Sequence, residues 1–174
     1  MNTDYWKDFY TKVPKMKQSP FAEFCLPFIN GSLVDMGCGN GRDLNYFIKK
    51  GVRAHGVDQS FRSPVIVNGD IASYMKAVTS PNNVYTRFFW HAITRKEQLA
   101  ILNWMKGTLF IEARTTEDEN RPKVFKKHKR NFVNVPQLVK DLKERGFQII
   151  RLEEGYFSPF KGENPHLVRL IAKK

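Results

Sequence analysis

Three acids and three glycines stand at spacings where a backbone turn can meet a ligand. Residues 33–41 read Leu-Val-Asp-Met-Gly-Cys-Gly-Asn-Gly, which places Asp35 ahead of Gly37, Gly39 and Gly41. Asp58 closes the run Ala54-His55-Gly56-Val57, and Val65-Ile66-Val67-Asn68-Gly69 leads into Asp70 and Ile71. Alternate glycines open backbone conformations barred to other residues and remove side chains that would hold a ligand away. A carboxylate such as Asp58 can accept two hydroxyls at once, as the sugar of a nucleoside would offer. A dinucleotide fingerprint needs Gly-x-Gly-x-x-Gly, and Arg42 stands where its third glycine belongs. A phosphate-binding P-loop fails as well, since no Gly-Lys-Ser/Thr follows.

The elements that must position these groups follow from the local pattern. Leu33 and Val34 suit a buried strand. Leu44, Phe47 and Ile48 repeat at helical spacing, so the glycine turn opens a helix whose free N–H groups lie near the ligand. Residues 54–57 and 65–67 read as a second and a third strand, with only 59–63 between Asp58 and the third, too few for a full helix. Open parallel sheets take ligands outside the carboxyl ends of neighbouring strands, where all three acids fall.

The rest alternates in the same way. Ser19-Pro20 starts a helix over 21–28, with Ser as N-cap and Pro in the first turn. A short helix is expected over 70–77, a strand over 83–89, a helix over 94–105 and a strand over 108–113. A helix beginning near Asn134 ends at Gly146, and 147–152 and 167–172 form two closing strands. This βαβ order implies a mostly parallel sheet between helical layers.

The run Asp-x-Gly-x-Gly-x-Gly, with Asp58 and Asp70-Ile71 after it in order, resembles the class I S-adenosylmethionine-dependent methyltransferases over nearly the whole chain. The resemblance implies an α/β, Rossmann-like fold: a seven-stranded, mostly parallel sheet in the order 3-2-1-4-5-7-6, the last strand antiparallel. It implies S-adenosyl-L-methionine as cofactor, on a bed of Asp35, Gly37, Gly39 and Gly41. Asp58 would then hold the ribose, Asp70 the adenine amino group, and Ile71 would lie against the ring. Residues 1–174 are expected to form a single domain. Residues 1–30 are its N-terminal helical segment, with Tyr5, Trp6, Phe9 and Tyr10 at helical spacing. That segment either lies as a lid across the cleft, with Trp6 and Tyr10 on the acceptor, or packs on the sheet as an amphipathic helix.

In such a fold the acceptor binds near the ends of the fourth and fifth strands. The Asn/Asp-Pro-Pro-Tyr/Phe motif of base-amino methyltransferases and the Pro-Cys nucleophile of pyrimidine methyltransferases are missing there. Arg87 and His91 stand where the Asp of the ribose 2′-hydroxyl enzymes would be sought. Arg87, His91 and His128 are the candidate catalytic residues, and Glu112, Arg114 and Arg130 the further candidate acceptor contacts. A histidine can take the proton of an alcohol, whereas arginines form forked bonds to a phosphate. Each His has a structural alternative as a hydrogen-bonded or surface ring, and Arg87 one as a core-edge partner of Glu112 or Asp118. Of Phe88, Phe89 and Trp90, one or two are core and an outward one covers the reacting groups. Segments 87–93, 111–119 and 128–133 together look like a methyltransferase subgroup associated with surface-polysaccharide synthesis.

Composition bounds the rest. The 174 residues are 41% hydrophobic and 26% charged, as in a water-soluble domain with a real core. No apolar run reaches the roughly 18 residues of a membrane span, and the start lacks the plan of a signal peptide, so a cytoplasmic monomer is expected. Cys25 and Cys38 lack partners at zinc spacing, and no metal site is expected. The net charge is +12, and residues 121–151 hold ten Lys or Arg against Asp141 and Glu144. Such asymmetry favours an anionic partner. Three readings follow: an O-methyltransferase for an anionic sugar, glycan or phosphate; an RNA or DNA methyltransferase using the basic 121–151 segment; or a non-catalytic cofactor-binding accessory protein.

Overall fold

A computed structural model describes residues 8, 10, 17–121, 130–157 and 163–174. Seven strands form one sheet in the order β3-β2-β1-β4-β5-β7-β6. They are β1 (Leu33–Met36), β2 (Ala54–Asp58), β3 (Ile66–Asn68), β4 (Asn83–Arg87), β5 (Thr108–Arg114), β6 (Gln148–Tyr156) and β7 (His166–Lys173). The first five pair in parallel, and β7 runs antiparallel between β5 and β6. Strand order and the orientation of β7 match the expectation from the sequence.

Among the described residues the helices that precede or connect the strands are α1 (Pro20–Cys25), α2 (Arg42–Lys49), α3 (Ile71–Ala77), α4 (Arg95–Trp104) and α5 (Val135–Glu144). Local chemistry sets their starts. Ser19, Asp70 and Asn134 each accept a bond from a backbone N–H of the first turn, and Thr94 with Glu97 makes a reciprocal capping box. The helix expected over 21–28 loosens into a 3-10 turn at Leu26–Phe28, where Pro27 supplies no N–H.

Strand alternation divides the core in two. One face presents Val34, Met36, Val84, Leu109, Ile111, Val168 and Leu170 to α3, α4 and α5. The other presents Leu33, Tyr85, Phe110 and Ile171 to Phe21, Cys25 and Phe47 of α1 and α2. No helix lies between β2 and β3. Instead the Asn68 amide donates to the carbonyls of Asp58, Gln59 and Phe61, folding that connection into a tight loop. Phe61 and Val65 then pack on Cys38, Leu44 and Ile66, as a helix would otherwise do.

Strand β6 borders the sheet and extends past the expected 152 to Tyr156. Its register shifts between Ile149 and Arg151, and Ile150, Leu152 and Tyr156 are exposed. Among the described residues no helix is long and apolar enough to cross a membrane.

Candidate functional site

The glycine turn between β1 and α2 is left-handed at Gly37, Gly39 and Gly41, with φ of 72°, 56° and 80°. Its backbone is tied to β2. Gly37 N–H donates to Val57 O at 2.8 Å, and Gly39 N–H donates to Asp58 Oδ2 at 2.9 Å. The other Asp58 oxygen accepts from Ser60 N–H at 2.7 Å. A carboxylate has about four lone-pair sites, so Asp58 keeps acceptor capacity after these two bonds.

Two aromatic side chains lie directly on the turn. A β-carbon added at Gly37 would meet Phe89 Cδ2 at 2.2 Å, and one at Gly39 would meet the Tyr10 phenol oxygen at 2.4 Å. Glycine is required at both for contact as well as for conformation. Tyr10 stands edge-on to Phe61, ring centroids 5.2 Å apart, so it bridges the turn and the loop after β2. Burial pushes its phenol up to about 12. The structure therefore places Tyr10 on the glycine turn, where the charge of Arg87 at the end of β4 also acts on its phenol. Trp6 and His128 lie outside the described residues.

Asp70 caps α3: Ser73 N–H and Ser73 Oγ–H donate to its two oxygens at 2.9 and 2.7 Å. Those bonds hold its carboxyl below the usual range. Ile71 is half-buried beside it, against the core. Asp35 is buried at β1, 3% exposed. Burial first, then the nearby Asp43 charge, push its carboxyl well above the ordinary value.

Asp43, in the first turn of α2, is a hub that sequence reasoning missed. Its buried carboxylate accepts from Ser19 N–H at 2.8 Å, Ser19 Oγ at 2.7 Å, Tyr85 Oη at 2.8 Å and Arg42 Nε at 2.9 Å. Burial would raise its pKa, yet Arg42, Arg87 and these bonds outweigh that and hold it low. Asp-Leu after a glycine reads as an ordinary first-turn acid; only the tertiary approach of Ser19 and Tyr85 shows otherwise.

The charge pattern continues across the sheet. Arg87, Glu112 and Arg169 are register partners on β4, β5 and β7. Glu112, 1% exposed, accepts from Arg87 Nε and from Arg169 Nε, each at 2.8 Å. Arg87 Nε also lies 4.0 Å from Asp43 Oδ2. Arg114, at the end of β5, pairs with Asp118 at 2.6 Å and with Glu163. Both arginines thus come with carboxylates of their own.

His91 is buried in the 3-10 turn Trp90–Ala92 after β4. Its Nδ1 accepts from Arg114 N–H at 3.1 Å, which leaves the ring proton on Nε2. In this state Nε2 carries a proton and does not present the lone pair of a base. Asn131 N–H donates to His91 O at 2.7 Å and the Asn131 amide to Ile93 O at 2.8 Å, so the segment carrying half-buried Arg130 is pinned to this turn. Phe89 and Trp90 are core. Phe88 is the outward ring, 4.5 Å from the Arg87 guanidinium and edge-on to His91 at 5.6 Å. Its φ of 55° is the one left-handed value for a non-glycine among the described residues. Such strain collects where a side chain must face a ligand.

No family model and no curated protein matches the chain. Solved structures do. A methyltransferase dependent on S-adenosylmethionine from Archaeoglobus fulgidus aligns with a TM-score of 0.69 at 17% identity, over 87% of this chain and 90% of its own. The 1,6-didemethyltoxoflavin N1-methyltransferase of Burkholderia thailandensis, solved with bound 1,6-didemethyltoxoflavin and S-adenosylhomocysteine, aligns at 0.67 and 17% identity, over 97% and 81%. The magnesium protoporphyrin IX methyltransferase of Synechocystis, also with S-adenosylhomocysteine, aligns at 0.65 and 13%, over 88% and 80%. The fold is therefore the Rossmann-like fold of class I methyltransferases.

Proposed function

We propose that this chain transfers a methyl group from S-adenosyl-L-methionine to an oxygen of an anionic acceptor: a sugar, a glycan or a phosphate. The observation that carries this reading is the left-handed glycine turn tied to a carboxylate at the tip of β2, in a fold shared with structures holding S-adenosylhomocysteine. Asp35, Gly37, Gly39 and Gly41 would form the bed. Asp58 would hold the ribose with its remaining acceptor sites. Asp70 and Ile71 would flank the base, Asp70 through lone pairs not used by Ser73. Tyr10 on Gly39 supports the N-terminal segment as a lid that shifts when the bed is taken.

The bound cofactor supplies an electrophilic methyl group; the protein aligns the acceptor and keeps water out. Phe88 gives the acceptor a flat wall. The Nε2–H of His91 can orient an acceptor oxygen. Arg87 and Arg114, held by Glu112 and by Asp118 and Glu163, act as rigid donors whose charge is already balanced. The surplus of +12 supports the anionic acceptor, with Arg130 beside the His91 turn. His128 is the candidate base for an alcohol acceptor. A single domain acting as a monomer suffices for this chemistry.

Calorimetry with S-adenosylhomocysteine tests the bed, and single-turnover incubation with methyl-labelled cofactor and fractionated cell extract tests the transfer. Saturable binding and label in an anionic carbohydrate or phosphate fraction are expected. Label in RNA or DNA would replace the acceptor class, and binding with no label in any fraction would make the chain an accessory protein.

A further inference from the structure

At the end of the sheet away from the glycine turn, two grooves meet at Gly31. Lys50 and Arg53 line the first, and Lys106, Lys173 and Lys174 line the second. No Asp or Glu side chain lines either groove among the described residues. The parallel strands start at this end and finish at the candidate site, so β5, seven residues long, separates the two by about 20 Å.

Helix dipoles explain part of this charge. Lys50 is the C-cap of α2, where a cation offsets the exposed carbonyls. Arg53, Lys173 and Lys174 belong to strand ends and serve no helix, and Lys106 follows α4 only after Met105. Five cations with no Asp or Glu side chain among them repel one another, and an anionic partner relieves that repulsion.

We propose that these joined grooves bind a single strand of nucleic acid along its phosphates. Half-buried Phe28 and exposed Ile150 lie within the second groove beside Lys173, and Asn30 and Asn82 add amides. An aromatic ring flanked by cations, as Phe28 is here, is what stacked bases use and what an acidic peptide does not need. This surface is separate from the candidate site, and the proposal stands whether or not that site transfers methyl groups.

The test is fluorescence anisotropy of the full chain with a labelled oligouridylate of about 20 nucleotides, from 50 to about 200 mM salt. Saturable binding that weakens steeply with salt is expected. Lys106→Gln with Lys173→Gln should lower affinity about tenfold and reduce the salt slope by about 1.4, the share of two contacts on a single strand. Lys96→Gln with Lys140→Gln, exposed on helices elsewhere, should change affinity less than twofold, and all four sites are exposed enough to leave the melting temperature unchanged. Phe28→Leu should weaken binding without altering the salt slope. No binding at 50 mM salt would overturn the proposal. Equal losses in the two lysine pairs, or full competition by polyglutamate or phosphatidylserine vesicles, would overturn it too.

Discussion

Tyr10 rests on Gly39 so closely that the glycine has room for no side chain: a β-carbon there would lie 2.4 Å from the phenol oxygen. Gly37 stands in the same relation to Phe89, at 2.2 Å. The two contacts differ in what backs them. Phe89 is buried in the main core, whereas Tyr10 is half-buried above the turn. Gly37→Ala should therefore cost about 2–4 kcal/mol, combining left-handed strain with overpacking against a ring that cannot move. Gly39→Ala should cost about 1–2 kcal/mol, because Tyr10 can swing aside. Urea unfolding of both variants compares them, and an equal loss would show that Tyr10 is as fixed as Phe89.

Asp58→Ala removes an acceptor from both the backbone and the proposed ribose. Binding of S-adenosylhomocysteine should weaken by about 1–3 kcal/mol by calorimetry. The Gly39 and Ser60 N–H groups also lose their partner, so a modest drop in melting temperature accompanies it. Unchanged affinity in a folded variant would remove Asp58 from the site.

Glu112 is the carboxylate on which two guanidinium groups depend. Glu112→Ala removes the carboxylate shared by two half-buried guanidinium groups, with Asp43 still 4.0 Å from Arg87 Nε, and a loss of about 3 kcal/mol is expected in denaturant titration. Glu112→Gln keeps the shape and one acceptor and should lose less. If both variants keep wild-type stability, the arginines reach water readily and the ladder is not structural.

Asp35 gives a pH signature. Its carboxyl is pushed up in the folded state by burial and by Asp43. A raised acid contributes most below its unfolded pKa, near 3.9, and that contribution fades as pH rises toward the folded value. Asp35→Asn removes a group that resists ionisation, so the variant should gain on the wild type as pH rises from 4 toward 8. Melting curves across that range should show the gap widen; a constant gap would mean that Asp35 ionises freely in the fold.

Phe88→Gly separates strain from function. Glycine accepts a φ of 55° without the cost of about 1–2 kcal/mol borne by an L side chain. Stability should hold or rise slightly, while turnover on the acceptor falls more than cofactor affinity. Turnover that survives the change would make Phe88 a bystander.

The strands along the chain were legible because each one announces itself by a short apolar run, and the turns between them carry Gly, Ser-Pro or Asn; their order across the sheet came only from the resemblance carried by the glycine turn and the acids after it. The lack of a helix between β2 and β3 was legible from length alone. What could not be read is how side chains from distant segments converge. Ser19, Asp43 and Tyr85 meet although 24 and 42 residues separate the pairs, and nothing local marks Asp43 as buried. For Arg87 the sequence offered both an acceptor contact and a core-edge pairing with Glu112, and cross-strand register shows the pairing; Arg114 read only as a cation facing an acceptor, since Asp118 and the return of Glu163 show the acids that hold it. Which ring nitrogen of His91 carries the proton hinged on one backbone N–H from another strand, a contact without any trace in composition or spacing.

The border strand β6 carries a last consequence. Nine residues long, with both flanks largely open to water, it offers a ready template for another chain to dock upon and lengthen. What stands in the way is the kink at Ile149/Arg151 and the charges of Arg151, Glu153 and Glu154. Keeping this molecule dispersed at high concentration thus rests on a few surface ions remote from any chemistry. Exchanging them for apolar residues would leave the cleft intact while turning the sample toward fibres or precipitate.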